Sequence, residues 1–108
     1  MEQLIQKEYD RILERRAHPQ EGSYTAYLFE KGLDKILKKV GEECSETIIA
    51  AKNGKNEETV TEIADLMFHV LVMMADQGIT PDDVAAILAQ RQAKEGNLKV
   101  MKVVDKNT

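Results

Sequence analysis

Apolar and polar positions recur at helical spacing along most of this chain, with short polar breaks between the runs. Leu4, Ile5, Ile12 and Leu13 share a face of a first helix over about residues 2–16. His18-Pro19-Gln20-Glu21-Gly22 breaks it. Ser23 or Thr25 then caps a short helix through Tyr27, Leu28 and Phe29, and Gly32 interrupts or kinks the path. A second long helix spans roughly 33–53. Its apolar stripe is Leu33, Ile36, Leu37, Val40, Cys44, Ile48 and Ala51, and Asn53-Gly54 stops it. A third long helix starts near Glu57 and ends at Gln77-Gly78. So short a linker between the two favours an antiparallel hairpin. The last helix has the clearest start. Thr80 caps it, Pro81 sits where a missing N–H costs nothing, and Asp82 and Asp83 favour the positive helix end. It runs to about Lys94, with Gly96 as the stop. The expectation is an all-α fold: one domain over 1–96, built on the helical hairpin with flanking helices. A C-terminal tail over 97–108 follows, either a short strand or loose chain.

The third helix is apolar nearly all round. Ile63, Met67, Val70 and Met74 form one face, Leu66, Met73 and Leu71 widen it, and Phe68 and Val72 fall on the far side. Such a helix should be buried by several neighbours. Its polar stripe, Glu62, Asp65, His69 and Asp76, must then face a polar interior. On the second helix Glu43 borders the apolar stripe, Glu46 lies further round and Glu42 beyond it. A helix turns about 100° per residue, so Glu43-x-x-Glu46 and Glu62-x-x-Asp65 each project from one face. Antiparallel packing gathers the four carboxylates. They cannot share a small space without a cation between them. Hard oxygen ligands select Mg²⁺ or Mn²⁺, and the usual task of such a site is to handle phosphate. Acids on most helices are simply solvated; the apolar surround argues against that here.

Neighbouring residues fill in the candidate site. Glu42 is a fifth ligand, a base for water, or a solvated residue. His69 follows Asp65 by four positions and Glu62 by seven, so it reads as a partner of an acid or of a substrate phosphate rather than a ligand. The Glu-x-x-His of di-iron bundles is missing. Lys38 and Lys39, one turn before Glu43, are placed to reach phosphate oxygens, and Arg91 is a candidate phosphate clamp. Cys44 lies on the apolar stripe and reads as a small core residue. Met67, Met73 and Met74 read as core or subunit interface.

Composition narrows the class. At 108 residues, 31% charged and 43% hydrophobic, the chain describes one small globular domain that oligomerisation would help to stabilise. A net charge of −4 and few aromatics argue against a nucleic-acid partner. The longest apolar run, 66–75, contains His69 and falls short of the ~20 residues of a membrane span. A single cysteine and an N-terminus without signal-peptide layout fit a cytoplasmic protein.

The acid spacing resembles the MazG-type all-α NTP pyrophosphatases, marked by Glu-x-x-Glu and then Glu-x-x-Asp across a helical hairpin. Within them the closer resemblance is to the phosphoribosyl-ATP pyrophosphatase family of histidine biosynthesis. It rests on Ser23-Tyr24-Thr25 with Ala26-Tyr27-Leu28, on 38–46 around Lys38-Lys39 and Glu42-Glu43, on 62–72, and on Leu88-x-x-Arg91. Cys44 stands where the family more often has Ala, and Phe68 where Tyr is common. The resemblance implies hydrolysis of the α–β phosphoanhydride of phosphoribosyl-ATP by direct water attack. Glu43, Glu46, Glu62 and Asp65 would hold Mg²⁺, Glu42 or Glu46 would activate water, and Lys38 and Lys39 would offset charge on the leaving pyrophosphate. It also implies a homodimer forming a helical bundle, in the form that stands alone rather than fused to a cyclohydrolase. Two rivals remain. One is a house-cleaning pyrophosphatase for non-standard nucleotides, which the Ser23-Tyr24-Thr25 loop and the two lysines disfavour. The other is a non-enzymatic dimerisation module.

Overall fold

Five helices follow one another in the computed structural model, which describes residues 1–95. They are α1 (Glu2–Ala17), α2 (Tyr24–Lys31), α3 (Leu33–Lys52), α4 (Asn56–Gln77) and α5 (Pro81–Glu95). No strand occurs among the described residues, so the fold is all-α as expected. The expected tail over 97–108 and the Gly96 stop lie outside them.

Local chemistry sets the boundaries. The Ser23 hydroxyl accepts the Ala26 N–H at 3.1 Å, so Ser23 rather than Thr25 caps α2. Gly32 takes φ +93, which lets the chain turn from α2 straight into α3. Gly78 closes α4 at φ +76, where the Ile79 N–H reaches the Met74 carbonyl at 2.9 Å and the Gly78 N–H that of Ala75 at 3.2 Å. Thr80 and Asp83 then cap α5 reciprocally. The Thr80 hydroxyl accepts from the Asp83 N–H, and the Asp83 carboxylate from the Thr80 N–H. α5 leaves α4 at 108°.

α3 and α4 form the antiparallel hairpin, α1 lies along α4, and α2 bridges α1 and α3. The core sits toward the open end of the hairpin. One fully buried side chain comes from each of four helices: Ile12, Leu28, Ile36 and Val72. Tyr9, Leu71, Met74 and Ala75 complete the cluster. Burying each large aliphatic side chain contributes about 1.5–3 kcal/mol. Polar ties lock the same region. The Tyr9 hydroxyl donates to the Ile79 carbonyl at 2.7 Å, and Arg16 donates to the Ala75 carbonyl at 2.8 Å while its guanidinium covers Phe29.

One expectation is corrected here. Cys44 is exposed, not core. The buried positions of α3 are Ile36, Glu43 and Ala50, at seven-residue intervals. That line is rotated by one residue, about 100°, from the stripe through Leu37, Cys44 and Ile48. α3 therefore turns Glu43 inward and leaves Leu37 and Ile48 exposed, with Ile49. On α4 the buried residues are all in the C-terminal half, from His69 to Ala75, while Val60 and Ile63 near its start are exposed. Among the described residues, no single helix is long and apolar enough to cross a membrane.

Candidate metal and nucleotide site

Halfway along the hairpin the core gives way to acids. Glu43 of α3 and Glu62 and Asp65 of α4 each offer a carboxylate oxygen, all within 4.8 Å of one another. Glu43 is 6% exposed, Glu62 half-buried and Asp65 exposed, so the cluster runs from the interior to the surface. Glu46, one turn after Glu43, stands beside Glu62. Burial raises the Glu62 carboxyl above its ordinary 4.5, and the neighbouring Glu46, Glu43 and Asp65 push the same way.

Two enclosed oxygens, Glu43 Oε1 and Glu62 Oε1, have no hydrogen-bond partner. Leaving a buried acceptor unpaired costs about 1–3 kcal/mol, more when it is charged. A divalent cation answers that cost directly. The donor set is oxygen only, as hard cations require, and its members are close enough for one ion to touch all three. The residues present fit a divalent metal.

One cation of the protein's own already leans on the cluster. The Lys39 ammonium lies 3.3 Å from Glu42 Oε1 and 3.7 Å from Glu43 Oε2. Burial works against its charge, but the Glu42 hydrogen bond and the field of Tyr24, Glu42 and Glu43 hold its pKa above the ordinary lysine value. Lys38, next along the helix, is exposed.

His69 is buried at the floor of this layer. Its Nδ1 lies 2.8 Å from the Asp65 carbonyl and its Nε2 2.8 Å from the Tyr24 hydroxyl. A carbonyl only accepts, so Nδ1 carries the proton. In the neutral ring Nε2 then accepts from Tyr24. Both nitrogens are engaged within the protein. Tyr24 itself has a raised pKa, chiefly from burial; Lys39 lowers it, while Glu43, Tyr27 and Glu42 add to the rise.

The remaining sequence candidates fall in different places. Ser23 and Thr25 are half-buried at the start of α2, on either side of Tyr24, with the Ser23 oxygen engaged in the cap. Arg91 is exposed on α5, which packs on α1. The 108° turn carries α5 away from the hairpin, and the structure does not bring Arg91 to the acids. Tyr24 and Arg15 were missed as individual residues. They line a cleft of about 480 Å³ between α1 and the start of α2. The Tyr24–His69 bond joins residues 45 positions apart, and no local pattern announces it.

The fold and the site define an all-α protein whose helical hairpin gathers acids from both of its helices into a cluster that suits a divalent cation. Residues 6–92 match the family model described as phosphoribosyl-ATP pyrophosphohydrolase. A phosphoribosyl-ATP pyrophosphatase of Streptococcus thermophilus is 48% identical over 94% of this chain and 97% of its own length. One of Lacticaseibacillus casei is 53% identical over 96% of this chain and 94% of its own length. A histidine biosynthesis bifunctional protein HisIE of Thermoanaerobacter pseudethanolicus is 59% identical over 75% of this chain, matching 38% of that protein. The chain belongs to the phosphoribosyl-ATP pyrophosphohydrolase family.

Proposed function

We propose that this chain hydrolyses phosphoribosyl-ATP to phosphoribosyl-AMP and pyrophosphate, the second step of histidine biosynthesis, at the acid layer of the α3–α4 hairpin. Family membership supports the reaction. The single observation that ties it to these residues is the pair of enclosed, unpartnered oxygens on Glu43 and Glu62. Mg²⁺, with Mn²⁺ as a substitute, is the cation that suits them. When bound, it supplies charge neutralisation of the triphosphate and polarisation of the attacked phosphorus.

The protein's own residues do the rest. Glu43, Glu62 and Asp65 form the oxygen triplet that holds the cation, with Glu46 next to it. Glu46 is exposed and pairs with no lysine among the described residues, which suits it to accept the proton of the attacking water. Glu42 is drawn toward Lys39 and holds that ammonium beside the acids. Lys39, kept charged, and Lys38 offset the charge of the leaving pyrophosphate. His69 fixes Tyr24, and Ser23 and Thr25 flank it, so the start of α2 forms the nucleotide side of the site. Arg91 reaches a substrate only if a second subunit supplies it. A homodimer is part of this reading. The exposed Leu37, Ile48, Ile49, Val60 and Ile63 give the hairpin an apolar outer surface that a second copy would cover. We place the enzyme in the cytoplasm, where its one free thiol stays reduced.

Pyrophosphate release from a nucleotide panel with Mg²⁺ tests the reading, with light scattering on the same sample for the dimer. Phosphoribosyl-ATP should be turned over well above dCTP and dUTP. Turnover of the latter two without the former would transfer the chain to house-cleaning chemistry.

A further inference from the structure

We propose that the cleft between α1 and the start of α2 binds a ribosyl 5-phosphate, with Arg15 as the ligand of its phosphate monoester. This deepens the reading above and rests on it for the identity of the full substrate. The three arginines at the end of α1 differ in what they are already doing. Arg16 is committed to the Ala75 carbonyl and the Phe29 ring. Arg11 lies 3.7 Å from Glu8. Arg15 is half-buried and makes no hydrogen bond or ion pair among the described residues. It lines the 480 Å³ cleft and also the adjoining cavity of about 960 Å³ on the other side of the α2 entry. A half-buried arginine that lines a cleft, with its donors unspent, is suited to a forked contact with phosphate oxygens.

The cleft and the acid layer are two ends of one surface. Tyr24 is their common wall. Its ring lines the cleft, while its hydroxyl meets His69, which in turn bonds the backbone of Asp65. Phe68 lies beside Tyr24 in the same wall, ring centres 6.1 Å apart, and the two offer flat apolar area for a base. A ligand laid along this surface meets acids and a cation at one end, aromatic rings in the middle and Arg15 at the other. That order matches a nucleotide carrying a triphosphate on one side of its base and a ribosyl phosphate on the other. An ordinary nucleoside triphosphate leaves Arg15 unused. Glu8 and Glu21 also line the cleft and oppose an anion. Glu8 is offset by Arg11, and Glu21 is exposed to solvent. Arg15 thus acts in specificity, apart from the bond-breaking step.

The test compares wild type with Arg15→Gln and Arg15→Lys in pyrophosphate release from phosphoribosyl-ATP and from the analogue lacking the ribosyl phosphate. Arg15→Gln should raise KM for phosphoribosyl-ATP about 10- to 100-fold, as loss of a charged hydrogen-bond pair does, with kcat held within about twofold. Arg15→Lys should fall between, and KM for the analogue should not move in either variant. An unchanged KM for phosphoribosyl-ATP, or an equal rise for both substrates, overturns the proposal. A second arm needs no turnover: ribose 5-phosphate, but not ribose, should shift the Arg15 Nε resonance of the wild type to saturation. No shift there overturns the proposal too. Wild type inactive on phosphoribosyl-ATP defeats the pyrophosphatase reading instead, and the ribose 5-phosphate titration then decides the cleft alone.

Discussion

Two layers of the same hairpin obey opposite rules. At the open end, Ile36 and Val72 meet Ile12 and Leu28, four helices contribute, and no charged side chain is buried among them. In the middle of the hairpin, the same two helices bring Glu43 toward Glu62 and Asp65 and leave two enclosed oxygens unpartnered. The first layer contributes stability, and the second spends some of it. Like charges crowd there at a cost, and the neighbouring apolar residues on the outside are uncovered. The contrast separates a layer that satisfies its own groups from one that does not. The core layer closes within one chain, whereas the acid layer keeps two enclosed acceptors unpaired, in a geometry that suits a divalent cation.

The largest effect should come from breaking the acid layer. Glu43→Gln should lower kcat for pyrophosphate release by about 10²–10³-fold, the usual scale for losing one electrostatic contributor at a transition state. The fold should survive, because the change removes a buried charge rather than a packing contact. Circular dichroism and a thermal melt check this, and a collapsed melt would mean that Glu43 holds the hairpin together.

Breaking the core layer should do the reverse. Ile12→Ala removes a side chain that is 1% exposed, at a cost of about 2–5 kcal/mol in urea unfolding. The protein that remains folded should keep its affinity for the divalent cation. A loss of metal affinity in step with stability would show that the two layers are one unit.

The smallest effect is on pH. With divalent cations chelated, Glu62 binds its proton more tightly folded than unfolded, since its pKa is raised above 4.5 in the fold. Stability from this group is therefore fully present below about pH 4.5 and falls as pH rises through the raised value. Thermal melts of wild type against Glu62→Gln should show that slope only in the wild type. Mg²⁺ should restore stability at the upper end of the window, by about 2.7 kcal/mol at 100 times its Kd. A wild-type stability that climbs across the same window without metal would contradict the crowding of these acids.

Much of this was legible because the signals are local. Ser23, Gly78, Thr80 and Pro81 mark helix ends through chemistry within a few residues, and a linker as short as 53–55 leaves little choice but a hairpin. The acid pairs were legible because three-residue spacing fixes a shared face. The orientation of α3 was not. Its two candidate faces, Ile36–Glu43–Ala50 and Leu37–Cys44–Ile48, differ by one residue, and hydrophobicity alone selects the second. Burial in the single chain follows the first, the line that carries Ile36 into the four-helix core. The Tyr24–His69 bond was hidden for another reason: it joins α2 to α4, and neither sequence segment carries a trace of the other.

The tautomer of His69 also gives the site a polarity in the donor–acceptor sense. In the neutral ring, with Nδ1–H spent on the Asp65 carbonyl, the proton of Tyr24 points into the protein, toward Nε2. What the Tyr24 oxygen shows to the outside is its lone pairs. It can receive a hydrogen bond but has none to give, so it repels a phosphate oxygen and welcomes a sugar hydroxyl. The one polar atom on the aromatic wall is thereby tuned to ribose, and sorts sugar from phosphate without bearing any charge of its own.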